Sequence, residues 1–141
     1  MIVVDTNVIS EVMRSHPSPI AENWLNNQSP ESLYLSVTSL TELQMGLAVM
    51  PQGKRRDALN SHMREFLVQL FGARVLPVSI ETADFHAQCF ALARSKGVTI
   101  SFADAQIAAI AKAHGFAVAT RDVAPFVAAG LEVINPWQGG Q

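Results

Sequence analysis

Four acidic residues occupy positions where a catalytic role explains them better than a structural one. Asp5 directly follows the apolar run that opens the chain, and Asp122 follows a second apolar run with two residues between. Glu42 and Asp104 fall near the starts of predicted helices. Because functional sites of open parallel sheets form at the carboxyl ends of strands, we expect the four carboxylates to converge on one cleft.

Carboxylates that converge repel one another, so their pKa values rise unless a cation lies among them. An all-oxygen set of donors suits Mg²⁺ or Mn²⁺, and no neighbouring His or Cys favours zinc. Such an ion polarises a water as nucleophile and neutralises a phosphate. The predicted cofactor is therefore Mg²⁺ or Mn²⁺, and the predicted catalytic and metal-binding residues are Asp5, Glu42, Asp104 and Asp122.

Each acid also has a structural interpretation. Asp104, in the first turn of a helix, would interact favourably with the helix dipole. Asp122 would cap the helix that follows it, and Glu42 would be a solvated helix residue. Asp5 is harder to explain in this way, because apolar strands of small domains rarely end in Asp-Thr-Asn. The sequence favours the joint interpretation, in which the four side chains form one site.

The elements that position these acids alternate between strand and helix. Apolar runs predict strands at residues 1–4, 33–37, 74–78, 116–120 and 132–135. Helices are predicted at residues 6–13, 19–27, 38–50 with Thr38 or Ser39 as cap, 54–71, 81–95, 101–114 and 122–129. The third strand is expected at a sheet edge because of Pro77. This order predicts a three-layer α/β/α sandwich around a mostly parallel sheet.

Length and composition predict one globular domain over residues 1–141. The chain is 49% hydrophobic and only 16% charged, which indicates apolar surface covered by a partner. The single cysteine, Cys89, excludes an intrachain disulfide and a cysteine-based zinc cluster. The longest apolar run, residues 123–131, is half of a membrane span, and the N-terminus lacks a basic signal region. We expect a cytoplasmic protein that does not bind membranes.

Positive charge is local, since the net charge of −2 excludes binding of nucleic acid by bulk basicity. Residues 54–75 hold five bases against two acids, whereas residues 1–53 hold one base against five acids. A cluster of bases can contact phosphates without reading sequence, although a solvated helix start explains it equally well. The candidate residues for contact with nucleic-acid phosphates are Lys54, Arg55, Arg56, Arg64 and Arg121.

Five segments, in order along the chain, resemble a known family. They are DTNVISE at 5–11, SVTSLTELQMGL at 36–47, SFADAQIAAIAKAHG at 101–115, ATRDVAPF at 119–126 and INPW at 134–137. Together they resemble the PIN-domain family, and within it the VapC-type toxins of bacterial toxin–antitoxin pairs, in the FitB-like branch.

The resemblance implies an α/β/α fold and a Mg²⁺- or Mn²⁺-dependent endoribonuclease. The four acids fall on the family's acidic quartet, with no acid at Ala124 or Pro125 to replace Asp122. The resemblance also gives Thr6, Asn7 and Thr120 a supporting role beside the acids. The implied partners are an RNA substrate, a small antitoxin whose Arg side chain approaches the acids, a second copy of the chain in a homodimer, and DNA only through the antitoxin.

Two other functions compete with this one. The chain could be a catalytically idle interaction subunit of a DNA-binding repressor complex that contains the antitoxin. It could also be a phosphohydrolase with Asp5 as nucleophile, but Asn7 stands where such enzymes need an acid. Trp24 and Trp137 are interpreted as anchors of the core or of an interface, in preference to platforms that stack on bases.

Overall fold

A five-stranded parallel sheet forms the centre of the structure, which is a computed structural model that describes residues 1–138. The last three residues of the predicted domain, 139–141, lie outside the described residues. The strands are β1 Ile2–Val4, β2 Leu33–Ser36, β3 Val75–Leu76, β4 Ala117–Ala119 and β5 Val133–Ile134, in the order β3-β2-β1-β4-β5. All four strand pairs are parallel, and β3 lies at an edge as predicted.

Within residues 1–138, seven helices cover the sheet. They are α1 Thr6–Val12, α2 Pro19–Asn26, α3 Val37–Ala48, α4 Lys54–Phe71, α5 Ile80–Ser95, α6 Phe102–His114 and α7 Val123–Ala128. Each predicted helix is confirmed to within two residues at either end. Two short 3₁₀ turns, Pro30–Ser32 and Pro136–Gln138, were not predicted. We refer to the second as the C-terminal turn.

The hydrophobic core lies on both faces of the sheet, because successive strand residues point to opposite faces. Val4 of β1 packs with residues of α1 to α4, such as Ile9 and Phe71. Val3, its neighbour, packs with residues of α5 to α7, such as Phe126. The predicted three-layer sandwich is therefore confirmed. Among residues 1–138, no helix is both long and apolar enough to cross a bilayer.

The start of α3 corrects one prediction. The capping residue is Ser36, whose hydroxyl accepts the Ser39 backbone N–H at 3.0 Å, and not Thr38 or Ser39. Ser36 ends β2 with an extended backbone, so the chain turns into the helix there. The Thr38 hydroxyl instead bonds Gln106 of α6 at 2.6 Å, which ties the two helices that carry Glu42 and Asp104.

Candidate active site

The site lies at the carboxyl ends of the three central strands. Asp5 immediately follows β1, Glu42 lies in the helix after β2, and Thr120 to Asp122 follow β4. β1 lies between β2 and β4, so successive strands are added to the sheet on both sides of β1. Open α/β sheets form their ligand-binding clefts at such a position. The sheet order therefore brings together residues more than a hundred positions apart.

Asp5 is held rigidly at the end of β1. One carboxylate oxygen, Oδ1, accepts the backbone N–H of Thr6 at 2.8 Å. The other, Oδ2, accepts the Thr120 hydroxyl at 2.8 Å and lies 3.4 Å from the Asn7 amide nitrogen. The side chain is only 4% exposed. Both oxygens are thus oriented by neighbours that include the predicted supporting residues.

Burial raises the pKa of Asp5 to about 6. The hydrogen bonds from Thr120 and Thr6 oppose this rise, and the negative charges of Asp104 and Glu42 add to it. The charges of Asp104 and Glu42 therefore reach Asp5. Such a like-charge effect places the carboxylates in one electrostatic cluster.

Glu42 faces this cluster from α3. Its Oε1 accepts the Thr6 hydroxyl at 2.7 Å, and the same Thr6 oxygen lies 2.9 Å from the buried Ser39 hydroxyl. These contacts join α1 to α3 next to Asp5. The solvated-helix interpretation of Glu42 does not account for a bond to a residue 36 positions away.

Asp104 stands in the first turn of α6, half-buried. The Ser101 hydroxyl caps the helix by accepting the Asp104 backbone N–H at 3.1 Å. The pKa of Asp104 is raised, first by burial, then by the charges of Asp122 and Glu42. A hydrogen bond from the Ser101 side chain opposes this rise, and the like-charge effects show that Asp104 lies within electrostatic reach of Asp122 and Glu42.

Asp122 lies at the exposed edge of the cluster. Although it occupies the N-cap position of α7, its side chain makes no capping hydrogen bond. Its backbone N–H donates to the Thr120 hydroxyl at 3.0 Å, and Thr120 in turn donates to Asp5. The carboxylate of Asp122 is therefore not used by the helix, and its charge reaches Asp104.

The four acids form an open cluster rather than a closed cage. Across residues 1–138, no three His, Cys, Asp or Glu side chains lie close enough to hold one ion directly. Mg²⁺ is usually bound by one or two protein carboxylates and keeps several waters. An open set of carboxylate oxygens suits this kind of hydrated ion.

The candidate RNA-contacting residues fall into two places. Lys54 and Arg55 are exposed at the start of α4, whereas Arg56 and Arg64 line a cleft of about 230 Å³ between α3 and α4. Arg121 lies apart from them, next to Asp122, and its backbone N–H donates to Asn7 Oδ1 at 3.3 Å. Of these five candidate residues, Arg121 is the one that is next to an acid of the cluster in the sequence, because it directly precedes Asp122.

One residue and one contact at this end of the sheet were missed by the sequence analysis. Glu11 of α1 is buried, and its carboxylate accepts the Ser18 backbone N–H at 2.9 Å, which lowers its pKa. A second acid in the DTNVISE segment, six residues after Asp5, was the available signal. Trp137 lies with its ring centre 5.1 Å from the Arg121 guanidinium carbon. Nothing local to the sequence indicates that contact.

Comparison with known proteins identifies the family. The PIN-domain family model matches residues 2–130. The chain is 47% identical to the plasmid stability protein StbB of Pseudomonas syringae pv. tomato, over 98% of this chain and 99% of that protein. It is 46% identical to VapC ribonuclease Y4jK of Sinorhizobium fredii, with the same coverage.

Solved structures agree with this assignment. The chain is 40% identical to toxin FitB of Neisseria gonorrhoeae, over 97% of this chain and 99% of that protein. The crystal structure of FitAcB from that organism matches with a TM-score of 0.91, over 97% of this chain and 99% of that chain. A structure of FitAB bound to a DNA fragment matches with a TM-score of 0.92, over 97% and 96% of the two chains. The fold and the resemblance expected from the five segments are both confirmed, and the chain belongs to the PIN-domain family.

Proposed function

We propose that this chain is a divalent-metal-dependent endoribonuclease that acts as the toxin of a toxin–antitoxin pair. The observation that carries the proposal is the convergence of Asp5, Glu42, Asp104 and Asp122 beside the carboxyl ends of the central strands. Hydrogen bonds from Thr120 to Asp5 and from Thr6 to Glu42 fix this arrangement, and the like-charge effects on Asp5 and Asp104 agree with it. Relatives with 46% and 40% identity are named as a VapC ribonuclease and as toxin FitB, which supports the same reaction class.

The donor chemistry fits Mg²⁺ or Mn²⁺. All four candidate ligands are carboxylates, and burial first, with their mutual repulsion added to it, raises the pKa values of Asp5 and Asp104. A bound divalent cation would relieve this repulsion and supply Lewis acidity that polarises a water and neutralises charge on the phosphodiester. We assign direct ligation to Asp5 and Asp104, with Glu42 and Asp122 ligating through water.

The supporting residues fix the carboxylates before substrate arrives. Thr120 orients Oδ2 of Asp5, and Thr6 orients Glu42. Asn7 bridges the two strand ends, since its amide nitrogen lies 3.2 Å from the Thr120 hydroxyl and its oxygen accepts the Arg121 N–H. Prearranged groups of this kind lower the reorganisation needed when negative charge develops on the phosphate.

Positive side chains would hold the RNA backbone. We assign this role to Arg121 beside the cluster and to Lys54, Arg55, Arg56 and Arg64 along α4. Because the protein carries a net charge of −2, binding of a polyanion depends on such local bases. These contacts would be to phosphates, so they would position the RNA without selecting its sequence.

Partners form the second part of the proposal. We infer that a small antitoxin covers the site, that the chain forms a homodimer, and that it meets DNA only through the antitoxin. The DNA-bound FitAB structure supports this view, and an idle subunit of such a complex is the alternative to an active nuclease. If an antitoxin Arg pairs with the acids, added Mg²⁺ should weaken antitoxin binding in wild type but not in Asp5→Asn.

The deciding experiment is cleavage of RNA by the protein after its antitoxin has been removed. We expect cleavage with Mg²⁺ or Mn²⁺ and none after chelation with EDTA. Light scattering of the same sample tests the homodimer. An RNA that stays intact at equal protein purity, in the presence of Mg²⁺, would favour the idle-subunit alternative.

A further inference from the structure

Trp137 is anchored by the C-terminal turn close to Arg121, the residue that precedes Asp122 in the chain. Its backbone N–H donates to Asn135 Oδ1 at 3.0 Å, which fixes the turn. The side chain is half-buried and packs against the core cluster that contains Trp24 of α2. The indole ring therefore has a fixed position, although it follows the last strand and belongs to none of the elements that carry the acids.

The ring faces the charge of Arg121. The guanidinium carbon lies over the indole ring, 5.1 Å from its centre, within the range of a cation–π contact. The Arg121 backbone is held independently by Asn7 Oδ1. Arg121 itself is exposed, and within the described part of the chain the one ion pair joins Arg14 to Glu11. The N–H donors of the Arg121 guanidinium are therefore not paired with a carboxylate of residues 1–138.

We propose that Trp137 is a positioning residue that holds Arg121 beside the acidic cluster, where the guanidinium contacts a phosphate of the RNA substrate. The inference rests on the proposed ribonuclease function and adds to it the residue that sets the direction of Arg121. Arg121 is the group that touches substrate, and Trp137 acts only through it.

Electrostatics explain why such a support is needed. Arg121 precedes Asp122, and its charge also reaches the buried carboxylate of Glu11. An unrestrained guanidinium would therefore be drawn to a carboxylate and away from a phosphate. A cation–π contact keeps the charge over the ring and leaves the N–H donors for a phosphate. Because the long side chain is already ordered, less conformational entropy is lost when RNA binds.

The test is a double-mutant cycle with Trp137→Leu and Arg121→Gln, singly and combined. Two quantities are measured: KM and kcat for a single-stranded RNA with Mg²⁺, and Kd for a 2′-O-methyl oligonucleotide that is not cleaved. Each single variant should raise KM and Kd about threefold to fivefold, the size of an exposed cation–π contact, and leave kcat within about twofold. The double variant should be no weaker than Arg121→Gln alone. Arg94→Gln on α5 is the matched control.

Conservative variants separate positioning from a purely structural role. Trp137→Phe retains an aromatic face and should restore KM to within about twofold of wild type. If Trp137→Leu does not fold, Trp137→Met, whose side chain fills the space without a π-face, replaces it in the cycle with the same expected result. A structural role would instead lower kcat and the melting temperature whether or not Arg121 is present.

The outcomes distinguish this inference from the function on which it rests. A wild-type protein that neither cleaves RNA nor binds the oligonucleotide contradicts the proposed function itself. A wild-type protein that does both, with variant effects that add in the double mutant, overturns the role of Trp137 alone. Unchanged KM and Kd in the Trp137 variants would overturn it as well.

Discussion

The acidic cluster and the basic face of α4 are built in opposite ways. The cluster is fixed by hydrogen bonds between distant residues, such as Thr120 to Asp5, 115 positions apart, and Thr6 to Glu42. The bases of α4 bond only to nearby groups: Arg64 to Asn60 one turn away, and Arg56 to the Met50 carbonyl. The first region depends on the whole fold, whereas the second needs only its helix.

This difference indicates different tasks. Four carboxylates held together, two of them with raised pKa values, cost folding free energy and are worth keeping only for a ligand that needs them. Exposed bases on a helix cost little folding free energy, and they can contact partners of different shapes. We therefore expect substitutions in the cluster to affect chemistry strongly, and substitutions on α4 to affect binding weakly and uniformly.

The largest effect is expected from Asp104→Asn. The variant removes a charge but almost no volume, so the cleavage rate should fall about a hundredfold to a thousandfold while the fold persists. Without metal, its melting temperature should equal or exceed that of wild type, because repulsion from Glu42 and Asp122 is relieved. Asp84→Asn, on the exposed side of α5, is the control. Cleavage at the wild-type rate would mean that Asp104 is not part of the catalytic site.

The pKa of Asp5 predicts a pH dependence of stability. Since the pKa rises from 3.8 in the unfolded chain to about 6, the folded state binds the proton more tightly. The resulting stabilisation is complete below pH 4 and is lost as pH rises towards 6, by on the order of 3 kcal/mol. In urea unfolding without divalent ions, the free energy of unfolding of wild type should fall relative to that of Asp5→Asn as the pH rises. A constant difference between the two proteins from pH 4 to pH 7 would contradict it.

A smaller effect is expected from Thr120→Val, which keeps the shape of the side chain and removes its hydroxyl. The hydroxyl orients Asp5 and accepts the Asp122 N–H, so its loss should lower the cleavage rate about tenfold to a hundredfold. Thr41→Val, on the exposed face of α3, is the matched control and should cleave normally. Equal rates in the two variants would mean that Asp5 does not need this orientation.

The smallest effect is expected on α4. Neutralising Lys54, Arg55 and Arg56 together should weaken binding to all single-stranded RNAs alike. Each lost phosphate contact should flatten the slope of log affinity against log salt by about 0.7. The pair Arg94 and Lys96, neutralised on α5, is the control. A salt slope that does not change in the triple variant would mean that these residues are ordinary surface charges that do not contact RNA.

The sequence predicted the fold well because its signals are local. Short apolar runs and breakers set the strands, and the hydroxyl of Ser101 and the left-handed Gly115, with φ of +71°, mark the two ends of α6. The start of α3 was missed, because Ser36, Thr38 and Ser39 are all capable caps and only the direction of β2 decides among them.

The site could be predicted only in outline. Acids after apolar strands, together with the rule for parallel sheets, were enough to expect convergence of Asp5 with Asp122. The bonds that orient them depend on β4 lying beside β1, which no short segment encodes. The same holds for Trp137, since the contact with Arg121 exists only after the C-terminal turn packs on α2.

The central claim is that the four carboxylates form one metal site, and Mn²⁺ binding tests it most directly. Paramagnetic resonance can follow the free ion during titration of the antitoxin-free protein at pH 7.5, well above the pKa of Asp5. Wild type and Asp84→Asn should bind Mn²⁺ alike, and the double variant Asp5→Asn with Asp104→Asn should lose that binding. Equal Mn²⁺ binding by the double variant and wild type would contradict the account.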